Sequence, residues 1–301
     1  MRSHVASHPI TTIEYFMNPR PVPRNAFSLL ELIVIITIVA ILLAISIPVV
    51  RDMRSLSRRS NCDQNLSRLV MACQAYADNF KHLPSGTLTT SAQVFQNGNL
   101  ADTSPAETLS ILSLPEGYHH NWISSLLRYL DREALYDSID FEVGVSAPAN
   151  DAVRETSLAF LRCPASIGEQ IPNTTSYAGM HASQAEPIGV NNDGLLMLNR
   201  WIALSDIADG TAYTILLGEK LSPPEHDLGW MSGTRSSLRN AGTAINESVS
   251  SDVFEDPHYV GGLGSLHAGG ASVGMADGAV KFLQDSIDPA VFQAMVNRED
   301  N

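Results

Sequence analysis

The sequence predicts an α+β protein: one long N-terminal transmembrane helix, then a mainly antiparallel β domain with one or two short helices. Three observations point there. Residues 27–50 form an apolar run broken by a single charge. Residues 66–80 then carry apolar side chains at three- and four-residue spacing, the period of a helix with one buried face. From residue 156 onward the pattern shortens into strand-like runs separated by turn residues.

The first element, FSLLELIVIITIVAILLAISIPVV from Phe27 to Val50, exceeds the roughly 20 residues that a spanning helix requires. It is longer than a secretory signal core of about 7–15 residues, and no small-residue cleavage site follows it. Its β-branched residues do not oppose a helix, because lipid forces the backbone to satisfy its own hydrogen bonds. Glu31 is the anomaly. A carboxylate inside a spanning segment costs roughly 2.5–3.5 kcal/mol, less near the end. Two readings stay open: Glu31 faces a cationic partner, or it is an interfacial acid tolerated because it enters early in the run.

Charge is unevenly spread. Residues 51–70 carry five Arg against two Asp, whereas residues 101–301 carry ten Lys or Arg against 27 Asp or Glu, and the whole chain is at −13. A basic collar suits anionic lipid headgroups and an acidic body suits solubility. No basic stripe survives outside the collar, which argues against nucleic acid as a partner. Arg51, Arg54, Arg58 and Arg59 follow the apolar run more densely than Arg20 and Arg24 precede it, so the positive-inside rule taken alone would put the large domain in the cytoplasm.

Beyond the collar, Leu66, Leu69, Val70, Cys73, Tyr76 and Phe80 form the buried stripe of a helical neck over residues 51–83, which Pro84-Ser85-Gly86 ends. The neck either continues the first helix or starts anew near Ser60-Asn61. Residues 85–120 read as a long loop. Asn121 is placed to cap a helix with Trp122, Ile123, Leu126, Leu127, Leu130 and Leu135 on its apolar face. The strand-like runs are LAFLRC, TSYAGM, GLLMLNRWIAL, TAYTILLGEKL, DLGWMSG, ASVGMA and AVKFLQ, and Asp288-Pro289 opens a short final helix. Asp193-Gly194, Asp209-Gly210 and Asp277-Gly278 are turn dipeptides. The third, between Val273/Met275 and Val280/Phe282, predicts a hairpin with a type I′ turn.

Chemistry-bearing residues are few. There is no nucleophile elbow, phosphate loop, dinucleotide fingerprint or zincin motif, so no enzyme is expected. Cys62, Cys73 and Cys163 lack zinc spacing. On a continuous helix Cys62 and Cys73 would stand about 16 Å apart, too far to bond. In an exported domain with one disulfide and one free thiol, Cys163 is therefore the shared partner; Cys62–Cys163 is the pairing expected, and three buried thiols is the open alternative. His267, in a glycine-rich stretch with Gly261, Gly262, Gly264, Gly269 and Gly270, is either a ligand or base with Asp277 as its carboxylate, or a hydrogen-bonding residue that closes the hairpin onto the core. The second is preferred. Trp122, Trp201 and Trp230 are core residues or stacking surfaces for a ligand.

Two resemblances add to this reading. Arg24-Asn25-Ala26, then Phe27-Ser28-Leu29-Leu30-Glu31, then an apolar run ending at Pro48, resembles the type IV prepilin cleavage and methylation signal. That resemblance implies a leader of residues 1–26 (or a shorter one from Met17), cleavage between Ala26 and Phe27 by a prepilin peptidase, and N-methylation of Phe27. Ala26 stands where the family usually has Gly. Glu31 becomes the fifth mature residue, which guides assembly with other pilin-like subunits, and the new α-amine lies one helical turn from it. The signal requires a cytoplasmic leader, so it takes precedence over the positive-inside count. The expected location is the inner membrane, single-pass, with residues 84–301 as a periplasmic or extracytoplasmic domain.

The segments HNWISSLLRYLDREALYDSIDF, FLRCPAS, TSYAG, LSDIADGTAYTILLGE and HAGGASVGMADGAVKFL resemble a bacterial family of the domain-of-unknown-function 1559 type. Its C-terminal motif, a His, nine residues, then Asp-Gly, corresponds to His267, Asp277 and Gly278. No cofactor is expected. Calcium enters only by analogy with type II secretion pseudopilins, which use a calcium loop; Asp193, Asp206, Asp209 and Asp277 offer oxygen ligands without EF-hand spacing. The function expected is a pseudopilin-like structural or assembly protein of the envelope, with a membrane-tethered module for a solute, glycan or peptide as the alternative.

Overall fold

A computed structural model describes residues 28–90, 110–166 and 173–299. It divides the chain into two compact units, Met1–Arg51 and Asp52–Asn301. Helix α1 runs Leu29–Phe80 without a break at Ser60-Asn61.

In the first unit the described part of α1 presents an exposed apolar surface. Leu29–Ile47 is long and apolar enough to cross a membrane, and none of it is buried. Its hydroxyls turn inward: Thr37 Oγ1 donates to the Ile33 carbonyl at 2.8 Å and Ser46 Oγ to that of Leu42 at 2.7 Å. Such back-bonding satisfies a hydroxyl that would otherwise meet hydrocarbon. At the front, the Glu31 amide donates to Ser28 Oγ at 3.2 Å, one half of a Ser-x-x-Glu capping box.

In the second unit, the later residues of α1 form one wall of a core. Leu66, Leu69, Val70 and Cys73 are fully buried, joined by Ala72 and Ala77. Phe80, expected on the same stripe, is half exposed. Short helices α2 (Trp122–Leu126), α3 (Glu133–Asp137) and α4 (Asp151–Arg154) follow. Asn121 caps α2 by accepting from the Ser124 amide. A 3₁₀ turn over Leu127–Leu130 and a left-handed Asp131 (φ 58°) separate α2 from α3, so the apolar face predicted from 122 to 135 is split between two short helices.

The sheet has five strands: β1 Tyr177–Ala182, β2 Ile215–Glu219, β3 Leu238–Asn240, β4 Gly270–Met275 and β5 Val280–Gln284, in the order β3-β1-β2-β4-β5. Three pairings are antiparallel and β1–β3 is parallel, so the sheet is mixed. β1, β2 and β4 are buried along their whole length, as strands covered on both faces must be. One face meets α1. A Cβ at Gly274 would lie 2.3 Å from Val70 Cγ2, so only glycine allows β4 to approach so closely. The other face meets helix α5 (Pro289–Ala294), where Phe292 and Val296 pack with Met180, Ile215, Val273 and Met275. Asp288 caps α5, accepting from Ala290 N at 2.8 Å.

Several expectations need correction. LAFLRC forms a 3₁₀ turn over Ala159–Leu161, and neither GLLMLNRWIAL nor DLGWMSG forms a strand. These runs are apolar because they are buried in irregular form: Leu195, Leu196 and Leu198 are fully inaccessible. The β4–β5 turn is also different. Gly278 N donates to the Met275 carbonyl and Met275 N to that of Ala279, while Gly278 alone has positive φ (100°). That is a type I turn with a glycine bulge, not type I′, which needs two positive φ angles.

Candidate functional site

The described residues bring together four donor side chains from four places in the chain. Cys62 comes from α1, Cys163 from the stretch after the Ala159–Leu161 turn, Glu219 from the last position of β2, and His267 from the approach to β4. All four are buried, and their ligand atoms lie within 4.8 Å of one another. Cys62 and Cys163 are joined by a disulfide, with Cα atoms 5.1 Å apart, while Cys73 is a free buried thiol. Burial pushes the Cys73 thiol well above the usual range, leaving it inert.

Local backbone chemistry fixes each member. The Cys163 amide donates to Ser176 Oγ at 2.8 Å, and Tyr177 OH donates to the Cys62 carbonyl at 3.1 Å. Tyr177 faces Glu219 across the β1–β2 ladder. Burial, and then the Glu219 charge, raise its phenol above the ordinary range and keep it a donor. Glu219 Oε2 accepts the Ser272 amide at 2.8 Å, and Ser272 Oγ donates to Asp63 Oδ1 at 2.5 Å. The other oxygen, Glu219 Oε1, has no hydrogen-bond partner among the described residues although Glu219 is only 2% exposed. It lies 3.4 Å from His267 Nε2, which in turn lies 3.3 Å from Cys163 Sγ. The His267 amide donates to Ser265 Oγ, so the glycine-rich stretch delivers the ring to this cluster.

His267 therefore reaches the cluster while Asp277 does not. Asp277 sits at the β4–β5 turn and accepts from the Ala279 amide at 2.9 Å, and Gly278 supplies the positive φ there. The carboxylate beside His267 is Glu219. The sequence concealed this, because Glu219 ends the apolar run TILLG like any strand-terminal charge. The signal was an acid directly abutting a fully buried strand.

Asp193 accepts from the amide and hydroxyl of Ser183, Asp206 from Ser205 Oγ, and Asp277 closes its own turn. Among the described residues, the one group of three or more His, Cys, Asp or Glu side chains able to share an ion is the Cys62–Cys163–Glu219–His267 cluster. Ala26 and Phe27 lie outside the described residues; Glu31 is in the first turn of α1.

Elsewhere in the second unit, a cavity of about 510 Å³ is lined by Leu221, Ser222, Arg239, Asn246, Phe254 and Tyr259, among others. Arg239 is buried at its wall and donates to the carbonyls of Arg235, Leu238 and Leu221. Nearby, Lys220 and Asp227 form a buried pair at 2.6 Å, and burial lowers the Lys220 ammonium to about 8. Trp122 and Trp230 are fully buried, with their indole N–H groups donating to the Ser237 and Thr156 carbonyls. Trp201 is half-buried and packs edge-on to His82. Two of the three tryptophans are thus core residues.

Comparison with protein families gives a match to one described as a protein of unknown function, DUF1559, over residues 51–290. That span is most of the chain. The chain belongs to the DUF1559 family. The match covers the Cys62–Cys163–Glu219–His267 cluster, the whole sheet and α5 as far as residue 290. No match was found among curated proteins or solved structures.

Proposed function

We propose that this DUF1559 protein is a prepilin-like, membrane-anchored structural or assembly subunit of the cell envelope, without enzymatic activity, processed and N-methylated by a prepilin peptidase. The observation that carries the reading is the placement of Glu31 within Leu29–Ile47. An unburied apolar helix of this length calls for lipid or other helices around it. A lone carboxylate in its first turn calls for a cation, and an α-amine created at Phe27 would supply one a single turn away. The capping bond from the Glu31 amide to Ser28 Oγ uses the backbone of Glu31 and leaves its carboxylate free for that pairing.

In this reading Glu31 recruits other pilin-like subunits through the helix, and the domain from residue 84 onward is extracytoplasmic. The test is co-assembly in a host that has the peptidase. Glu31→Gln should remain membrane-bound and folded but lose helix-mediated cross-linking to partner subunits by at least tenfold. Cross-linking at the wild-type level would contradict the role. The cavity at Arg239, Phe254 and Tyr259 favours a second reading, a tethered binding module. Glu31→Gln would leave that function untouched.

A further inference from the structure

We propose that Cys62, Cys163, Glu219 and His267 form a redox-gated site for a zinc-class divalent cation, closed while the two cysteines share a bond and open once they are reduced. Metal–sulfur bonds of about 2.3 Å and metal–nitrogen or –oxygen bonds of about 2.0–2.1 Å put tetrahedral donors about 3.3–3.8 Å apart. His267 Nε2 already stands 3.3 Å from Cys163 Sγ and 3.4 Å from Glu219 Oε1, and no pair of donor atoms exceeds 4.8 Å. The two sulfurs must part to non-bonded distance, and donors as much as 4.8 Å apart must draw together by about 1 Å.

Glu219 Oε1 is buried, has no hydrogen-bond partner among the described residues, and lies 3.4 Å from His267 Nε2. A buried acceptor left unmet is destabilising, the more so when it is charged. A cation there would remove that cost. The set of two thiolates, one imidazole and one carboxylate selects a zinc-like ion over calcium or magnesium, whose preference is for oxygen alone. Support behind the ligands is already in place, since Ser272 N holds the second Glu219 oxygen and Ser176 Oγ holds the Cys163 amide.

The exchange balances. A dithiol reductant gives two electrons and two protons to the Cys62–Cys163 bond, yielding two thiols and its own disulfide. The entering M²⁺ displaces those two protons and binds two thiolates. An oxidant that later accepts two electrons reforms the bond and expels the ion. This site is independent of the assembly reading, since neither Glu31 nor the membrane helix takes part.

The experiment uses the full chain in detergent, reduced anaerobically with a phosphine until the Cys62 and Cys163 thiols titrate under denaturing conditions, and then titrated with cobalt(II) alone. The expected result is one equivalent bound, with thiolate-to-cobalt charge transfer and the d–d bands of a tetrahedral site, and none in the oxidised protein. Glu219→Gln and His267→Ala should each weaken binding at least tenfold, and Cys73→Ser should leave it unchanged. Should reduction loosen the fold, zinc(II) alone should restore the near-ultraviolet dichroism of Trp122 and Trp230. Reduced protein that binds no cobalt, binds it equally well in the Cys62→Ser/Cys163→Ser variant, or stays unfolded with zinc and without it would overturn the proposal.

Discussion

Two stretches of helix α1 answer the same question in opposite ways. Between Leu29 and Ile47 none of the apolar side chains is buried, whereas Cys62, Leu66, Leu69, Val70 and Cys73 are completely inaccessible. Composition separates them less than periodicity does. The first stretch is apolar all round, which suits a uniform apolar surrounding, and the second is apolar on one face only, which suits a protein core. One stretch is built for a solvent, the other for a sheet.

Breaking the second stretch should produce the largest effects. Removing the Cys62–Cys163 bond by Cys62→Ser/Cys163→Ser frees a loop of 101 residues, which should cost about 4–5 kcal/mol in the loop-entropy account. Urea unfolding of the detergent-solubilised chain measures this. Next, Leu66→Ala should cost about 2–5 kcal/mol through lost burial and the cavity left behind. The matching change Leu42→Ala, at a residue 59% exposed, should leave the unfolding midpoint within about 0.5 kcal/mol of the parent. Equal effects at the two positions would erase the contrast.

A pH prediction sharpens the picture of the core. Burial holds the His181 imidazole down at about 4, and lowers His119 and His120 as well. A base whose folded pKa is depressed binds fewer protons in the folded state. The contribution of these histidines is therefore fully present above about 6.5, is lost as the pH falls from there, and for His181 changes no further below about 4. For His181 alone the loss should approach about 3 kcal/mol, taking 1.36 kcal/mol per pKa unit. Urea midpoints at pH 7 and pH 5 test it, and His181→Gln should flatten that part of the slope. The smallest effect on folding should come from Glu31→Gln, which should not shift the midpoint measurably and should act on assembly alone.

Much of the fold was legible because local signals agreed with the tertiary answer. The apolar run, the 66–73 stripe, the Asn121 and Asp288 caps and the β4–β5 hairpin are each written within one continuous stretch of sequence. β3 was not legible. Leu238-Arg239-Asn240 is too short and polar to show a strand pattern, and its pairing with β1 is parallel and fixed by contacts some 60 residues away. The run Gly194–Leu204, buried from Gly194 to Asn199, looked like a strand because burial and strand share a composition. In the candidate site, His267 and the two cysteines drew attention as residue types, but Glu219 joins them only through strand register, which no local pattern records.

The most direct test of the anchoring account is the mass of the N-terminal peptide from protein extracted out of the membrane of a host carrying a prepilin peptidase. The account predicts a chain beginning at N-methylated Phe27. An intact leader, or a chain that begins beyond the apolar helix, would contradict it.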